Sequence, residues 1–145
     1  MPAMLLVVGG SIFGVLGLLH AWFTFRDMAR PRRLVPEDPA VADAMAATGL
    51  RLARGGTTMW RSWVGFNFSH SLGLLVFAAG TIALGLGLDS VRVPQSLLIL
   101  PPAIGSAYVL LAVRYWFRIP AAGTALGTLC FMIALTLYTA PFCSA

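Results

Sequence analysis

The chain has 145 residues, 59% of them hydrophobic and only 10% charged, with a formal net charge of +5 from ten basic and five acidic residues. A soluble domain of this length needs a polar surface that so few charges cannot supply, so a water-soluble fold is excluded. Nor does the positive excess indicate nucleic acid: all ten basic residues are arginine, and seven of them lie between the first two apolar runs. That distribution serves membrane topology and anionic lipid headgroups.

The charges fall in three windows, 26–61, 89–92 and 114–118, and leave uncharged runs 1–25, 62–88, 93–113 and 119–145, which are 25, 27, 21 and 27 residues long. About 20 apolar residues suffice to cross the hydrocarbon of a bilayer, so each run is a span. The pattern predicts one all-α integral membrane domain over 1–145, an antiparallel four-helix bundle with a short amphipathic helix in its first cytoplasmic loop. Spans are expected at 4–25, 58–87, 95–117 and 120–141, with the loop at 26–57.

Span one has no basic segment before it and no small-residue cleavage site after it, which marks a retained span rather than a signal peptide. It carries Gly10-x-x-x-Gly14, a spacing that lets helix backbones approach closely. His20 shares a helical face with Phe13, Gly17, Thr24 and Asp27. The loop that follows opens on a basic strip from Arg26 to Arg33, broken by Pro31. Asp38 then offers an N-cap carboxylate and Pro39 a first helical residue. Val41, Met45, Thr48 and Leu52 follow at helical spacing, Arg51 and Arg54 favour the negative helix end, and Gly55–Gly56 is the expected stop. This helix is expected to lie on the inner leaflet.

Span two is richest in polar side chains. Trp63, Asn67, His70 and Leu74 share one face within about 60° at 100° per residue, and Gly65, Ser69, Gly73 and Gly80 form a small-residue seam beside it. From the helical rise, His20 lies about 9 Å below Arg26 and His70 about 13 Å below Arg61, so the two histidines reach comparable depth. Span three carries Pro101–Pro102, expected to kink it or make that end irregular, with Tyr108 deeper and Arg114 near the level of the histidines. The short turn Arg118-Ile119-Pro120 makes spans three and four an antiparallel hairpin, and span four repeats the close-packing signal as Gly123-x-x-x-Gly127. Cys130 and Cys143 are thirteen residues apart on one helix, too far for a disulfide.

Nine arginines fall on one side of the membrane and Arg92 alone on the other, so the positive-inside rule places both termini outside the cytoplasm, in a cytoplasmic (inner) membrane. The stretch Trp63-x-Gly-Phe-Asn-x-Ser-His-Ser-x-Gly73, with a histidine late in the first span, resembles a segment of small uncharacterised bacterial four-span membrane proteins. That resemblance implies the four-span layout and marks Asn67, Ser69 and His70 as the defining segment; it implies no reaction.

Ionisable and amide side chains inside a span must find a partner or water, which makes them candidates for function. His20, Trp63, Asn67, His70 and Arg114 are the candidate ligand-binding set, a polar pocket in the cytoplasmic half suited to the head of a lipid, isoprenoid or quinone. The bland reading of the same residues is hydrogen-bonded glue that fixes helix register, with the tryptophans as interface anchors. An alternative is a b-type haem between His20 and His70, making the chain a redox subunit. A further alternative is a small enzyme acting on a lipid-soluble substrate, with a histidine moving a proton. A metal site would want more ligands than these two histidines and Asp27, and hydrolysis by Ser69 or Ser71 with His70 lacks an orienting acid. The expected partners are membrane lipids and either further copies of the chain or a larger membrane complex. Composition and spacing leave the choice between enzyme and binding protein open.

Overall fold

The computed structural model of the protein describes residues 1–88, 90 and 93–140. Arg92, the single arginine expected on the outer side, and Cys143 lie outside the described residues. Among the described residues the chain is helical with no strand, in the order α1 (Pro2–Ala29), α2 (Pro39–Ala47), a 3-10 turn (Arg51–Ala53), α3 (Met59–Gly87), α4 (Gln95–Tyr115) and α5 (Arg118–Thr139). The helices α1, α3, α4 and α5 are each long and apolar enough to cross a membrane. The fold divides into two compact units, Met1–Leu16 with Leu74–Ala145, and Gly17–Gly73, and α1 and α3 contribute to both.

The first unit is a four-helix bundle. Its centre is a cluster of four rings, one from each helix: Phe13, Phe77, Tyr108 and Phe131. Phe13 meets Phe77 edge-on at 5.0 Å between centroids and stacks on Phe131 at 5.7 Å, while Tyr108 lies 5.7 Å from Phe13 and 6.2 Å from Phe77. Such pairs add roughly 0.5–1.5 kcal/mol each beyond burial, and they fix the rotation of four helices at one level. Leu6, Leu74, Ala78, Leu88, Leu98 and Ala134 complete the buried core.

Small residues set the helix distances. A Cβ at Gly14 would meet Ala78 at 3.4 Å, one at Gly10 would overlap Thr81, and one at Gly85 would come 2.8 Å from the Ala3 carbonyl, so α1 and α3 run antiparallel in close contact. On α5, a Cβ at Gly127 would stand 2.8 Å from the Phe13 ring and one at Gly123 3.0 Å from Leu16. Gly105 on α4 faces Thr128 on α5, and the two helices form the antiparallel hairpin expected from their short connection. The expected span-two seam differs: a Cβ at Gly65 or Gly80 would meet nothing within 4 Å, because those positions lie off the packed face.

Pro101 and Pro102 are buried within α4, whose helix runs through them without interruption. Each removes one donor, from the carbonyls of Leu97 and Leu98 by helix spacing. The two prolines are the seventh and eighth residues of α4, beyond the four N-terminal positions whose N–H groups have no intrahelical acceptor, so the loss falls on bonds the helix would otherwise make.

In the second unit, α2 begins as expected, with the Asp38 carboxylate accepting from the Ala40 N–H at 2.9 Å and Pro39 leading the helix. It ends sooner than expected, at Ala47 rather than at Gly55. Thr48 is extended, its N–H closes the last turn on Ala44, and its carbonyl accepts from Met59 N–H at 2.9 Å. The Gly49–Thr58 bridge continues this pairing. A β-branched residue followed by glycine has little helix propensity, and returning the chain to α3 takes precedence. Arg54 and Gly55, with φ of 45° and 88°, then make the left-handed turn, so Arg51 and Arg54 lie beyond the helix they were expected to cap.

Candidate functional site

The second unit contains the polar cluster. On α1 the face Gly17, His20, Thr24 and Asp27 points inward, His20 half-buried and the others buried. On α3 the inward stripe of this unit reads Asn67, His70 and Ser71. Alternating steps of three and four residues keep one narrow stripe of each helix in the seam, the pattern of coiled-coil packing.

Asn67, only 4% exposed, is the hub. Its amide nitrogen donates to the Trp63 carbonyl at 2.7 Å, which leaves Oδ1 as the acceptor for His20 Nε2 at 2.9 Å. The donor on His20 is thereby assigned to Nε2 by the amide's orientation. The His70 ring lies beside His20, centroids 5.2 Å apart and planes at 69°. Thr24 and Ser71 are buried, but their hydroxyls donate to carbonyls of their own helices, His20 and Asn67 respectively. Ser69 likewise donates to Phe66, so neither serine hydroxyl is directed at His70 as a nucleophile would be.

Of the five candidate residues, His20, Asn67 and His70 come together. Trp63 joins them through its backbone carbonyl, while its indole N–H donates to the Leu34 carbonyl at 2.8 Å. Its side chain therefore ties the first loop to α3. Arg114 belongs to the other unit, exposed in the last turn of α4.

Asp27 is the residue whose role the sequence concealed. It is 4% exposed, near the C-terminal end of α1, where the helix dipole disfavours a carboxylate. The turn after the helix supplies the compensation: Asp27 oxygens accept from the backbone N–H groups of Arg32 at 3.1 Å, Arg33 at 3.1 Å and Leu34 at 2.6 Å. Leu34 is thus held on both sides, its N–H by α1 and its carbonyl by Trp63 of α3. The inward face shared by His20 and Asp27 was the available signal, since a carboxylate there must be satisfied by donors from nearby.

Between these groups lies a small cavity of about 10 Å³, lined by Thr24, Asp27, Leu34, Trp60, Trp63, Val64 and Asn67. That is room for roughly one water. Beside the cluster, Phe66 and Gly73, about one turn from His70, are exposed. Among the described residues no group of three or more His, Cys, Asp or Glu is placed to hold a metal ion.

The chain matches no protein-family profile, no curated protein and no solved structure. Fold and site together define a small four-helix membrane protein with a hydrogen-bonded histidine–asparagine cluster inside its helices.

Proposed function

We propose that this protein is a membrane binding module for a lipid-soluble molecule with a hydrogen-bonding head, of quinone or isoprenoid type, which docks against His20 and His70. The observation that carries the reading is the pairing of two imidazoles 5.2 Å apart with one of them fixed by a buried amide. Intramembrane groups that can donate, accept and move a proton, held rigid by a neighbour, suit a polar head whose tail stays in the lipid. The haem alternative has less support. A macrocycle between two imidazoles needs both to aim a nitrogen at one iron, and the His20 Nε2 is engaged by Asn67.

The test is the mass of the gently extracted protein with non-covalent contacts preserved, followed by titration with a short-chain benzoquinone and with an isoprenoid alcohol. A retained molecule of this class, and a loss of about tenfold in affinity in His70→Ala, is the expected result for one hydrogen bond removed. A bare wild-type chain that binds neither probe overturns the reading in favour of an assembly role, in which the cluster serves only helix register.

The arginine distribution supports a second element, the orientation with both termini outside the cytoplasm. With both native cysteines replaced by serine, an exposed Ala47→Cys on α2 is expected to react with an impermeant thiol reagent only after the cytoplasmic side is opened. Labelling of intact cells at that position reverses the orientation.

A further inference from the structure

Four arginines of the first loop do more than bias topology. Arg26, Arg30, Arg32 and Arg33 line a cleft of about 180 Å³ together with Trp22 and Asp27, all within the second unit. Arg26 and Arg30 are one helical turn apart and face the same way. The chain then turns at Pro31, and the Asp27 carboxylate pulls the backbone of Arg32 and Arg33 back against α1. Two guanidinium groups are seated on aromatic faces, Arg26 5.5 Å from the Trp22 ring centre and Arg33 4.3 Å from that of Phe23. Stacking of this kind leaves the guanidinium edge with its N–H donors available. The single carboxylate in the cleft is occupied by three backbone N–H donors, which reduces its opposition to an incoming anion. Four cations held around one small space repel each other, and an anion with several acceptor oxygens relieves that repulsion.

We infer that this cleft is a binding site for a phosphate group, supplied by the headgroup of an anionic phospholipid. Trp22, 52% exposed on the lipid-spanning helix, sets the cleft at the depth of a headgroup, and the apolar surface of α1 continues beneath it for the acyl chains. The site is separate from the histidine cluster, so it stands or falls independently of the quinone or isoprenoid reading.

The experiment reconstitutes the full chain in phosphatidylcholine vesicles containing a minority of phosphatidylglycerol and measures preferential retention of the anionic lipid. The double variant Arg32→Gln/Arg33→Gln is expected to lose about tenfold or more of that preference, from two headgroup contacts removed. Arg51→Gln/Arg54→Gln removes the same charge from the same loop, and since neither residue lines the cleft it is expected to leave the preference within about twofold. Equal losses in the two double variants overturn the site and leave only diffuse attraction. Inorganic phosphate distinguishes the sources: the lipid site is expected to resist competition by it, whereas displacement of phosphatidylglycerol with tight retention of free phosphate assigns the same cleft to a soluble ligand and overturns the lipid assignment.

Discussion

Gly9→Leu is expected to prevent the four-helix unit from forming, and Gly9→Ala alone to destabilise it by roughly 1–2 kcal/mol net. A Cβ at Gly9 would lie 2.5 Å from the Phe131 ring and 2.9 Å from the Gly127 carbonyl on α5. Neither can yield. The carbonyl is part of helix α5, and Phe131 is fully buried, stacked on Phe13 and edge-on to Phe77 at 5.7 Å each. Alanine in a helix gains about 1 kcal/mol over glycine, so the clash must exceed that gain to show. Overpacking of a filled core typically costs 1–3 kcal/mol, and leucine adds three more carbon atoms where there is no space. In a bilayer the lipid is as apolar as the core, so lost packing between α1 and α5 is not offset by a hydrophobic drive to associate. The readout is the midpoint of unfolding in mixed micelles, with Gly65→Ala as the matched control. Nothing lies within 4 Å of a Cβ at Gly65, so that variant is expected to be neutral or slightly stabilised. If Gly9→Ala and Gly65→Ala behave alike, the α1–α5 contact is not the one described.

The contrast between Gly9 and Gly65 shows what the amino-acid sequence could and could not convey. Hydropathy alone marked out the four long apolar helices, because nothing but a long apolar helix satisfies its backbone in lipid. The short turn at Arg118 likewise fixed the α4–α5 hairpin. Helical spacing also placed His20 and His70 at one level and put Asn67 on the same face as His70, since both follow from rise and rotation within single helices. What local spacing alone does not reveal is which of several small-residue faces meets another helix. Gly65 and Gly80 match the close-packing spacing as well as Gly123 and Gly127 do, yet only the latter face a neighbour. The ring cluster of Phe13, Phe77, Tyr108 and Phe131 has no local signature, because its four members come from four helices. The early end of α2 was hidden for another reason: Thr48 stops it through a hydrogen bond to Met59, a partner eleven residues on.

Asp27→Ala is expected to release the turn after α1, accelerating hydrogen exchange of the Arg32, Arg33 and Leu34 amides about a hundredfold. Those three N–H groups share one buried carboxylate, and losing hydrogen bonds to a charged acceptor costs on the order of 3 kcal/mol in total, or two powers of ten. Asp27→Asn keeps one acceptor oxygen but turns an amide N–H₂ towards donors, one of which, Leu34 N, lies 2.6 Å from the present carboxylate oxygen, so it restores little. Unchanged exchange in Asp27→Ala would show that something else holds the turn. The same variant separates two views of the arginine cleft because their signs are opposite. Removing a carboxylate makes the loop more positive, so simple charge attraction predicts stronger retention of anionic lipid. The built cleft predicts weaker retention, because Arg32 and Arg33 lose the anchor that turns them back towards Arg26 and Arg30. A fall in lipid preference that accompanies the loss of amide protection, despite the added positive charge, is therefore the outcome that geometry requires and electrostatic attraction forbids.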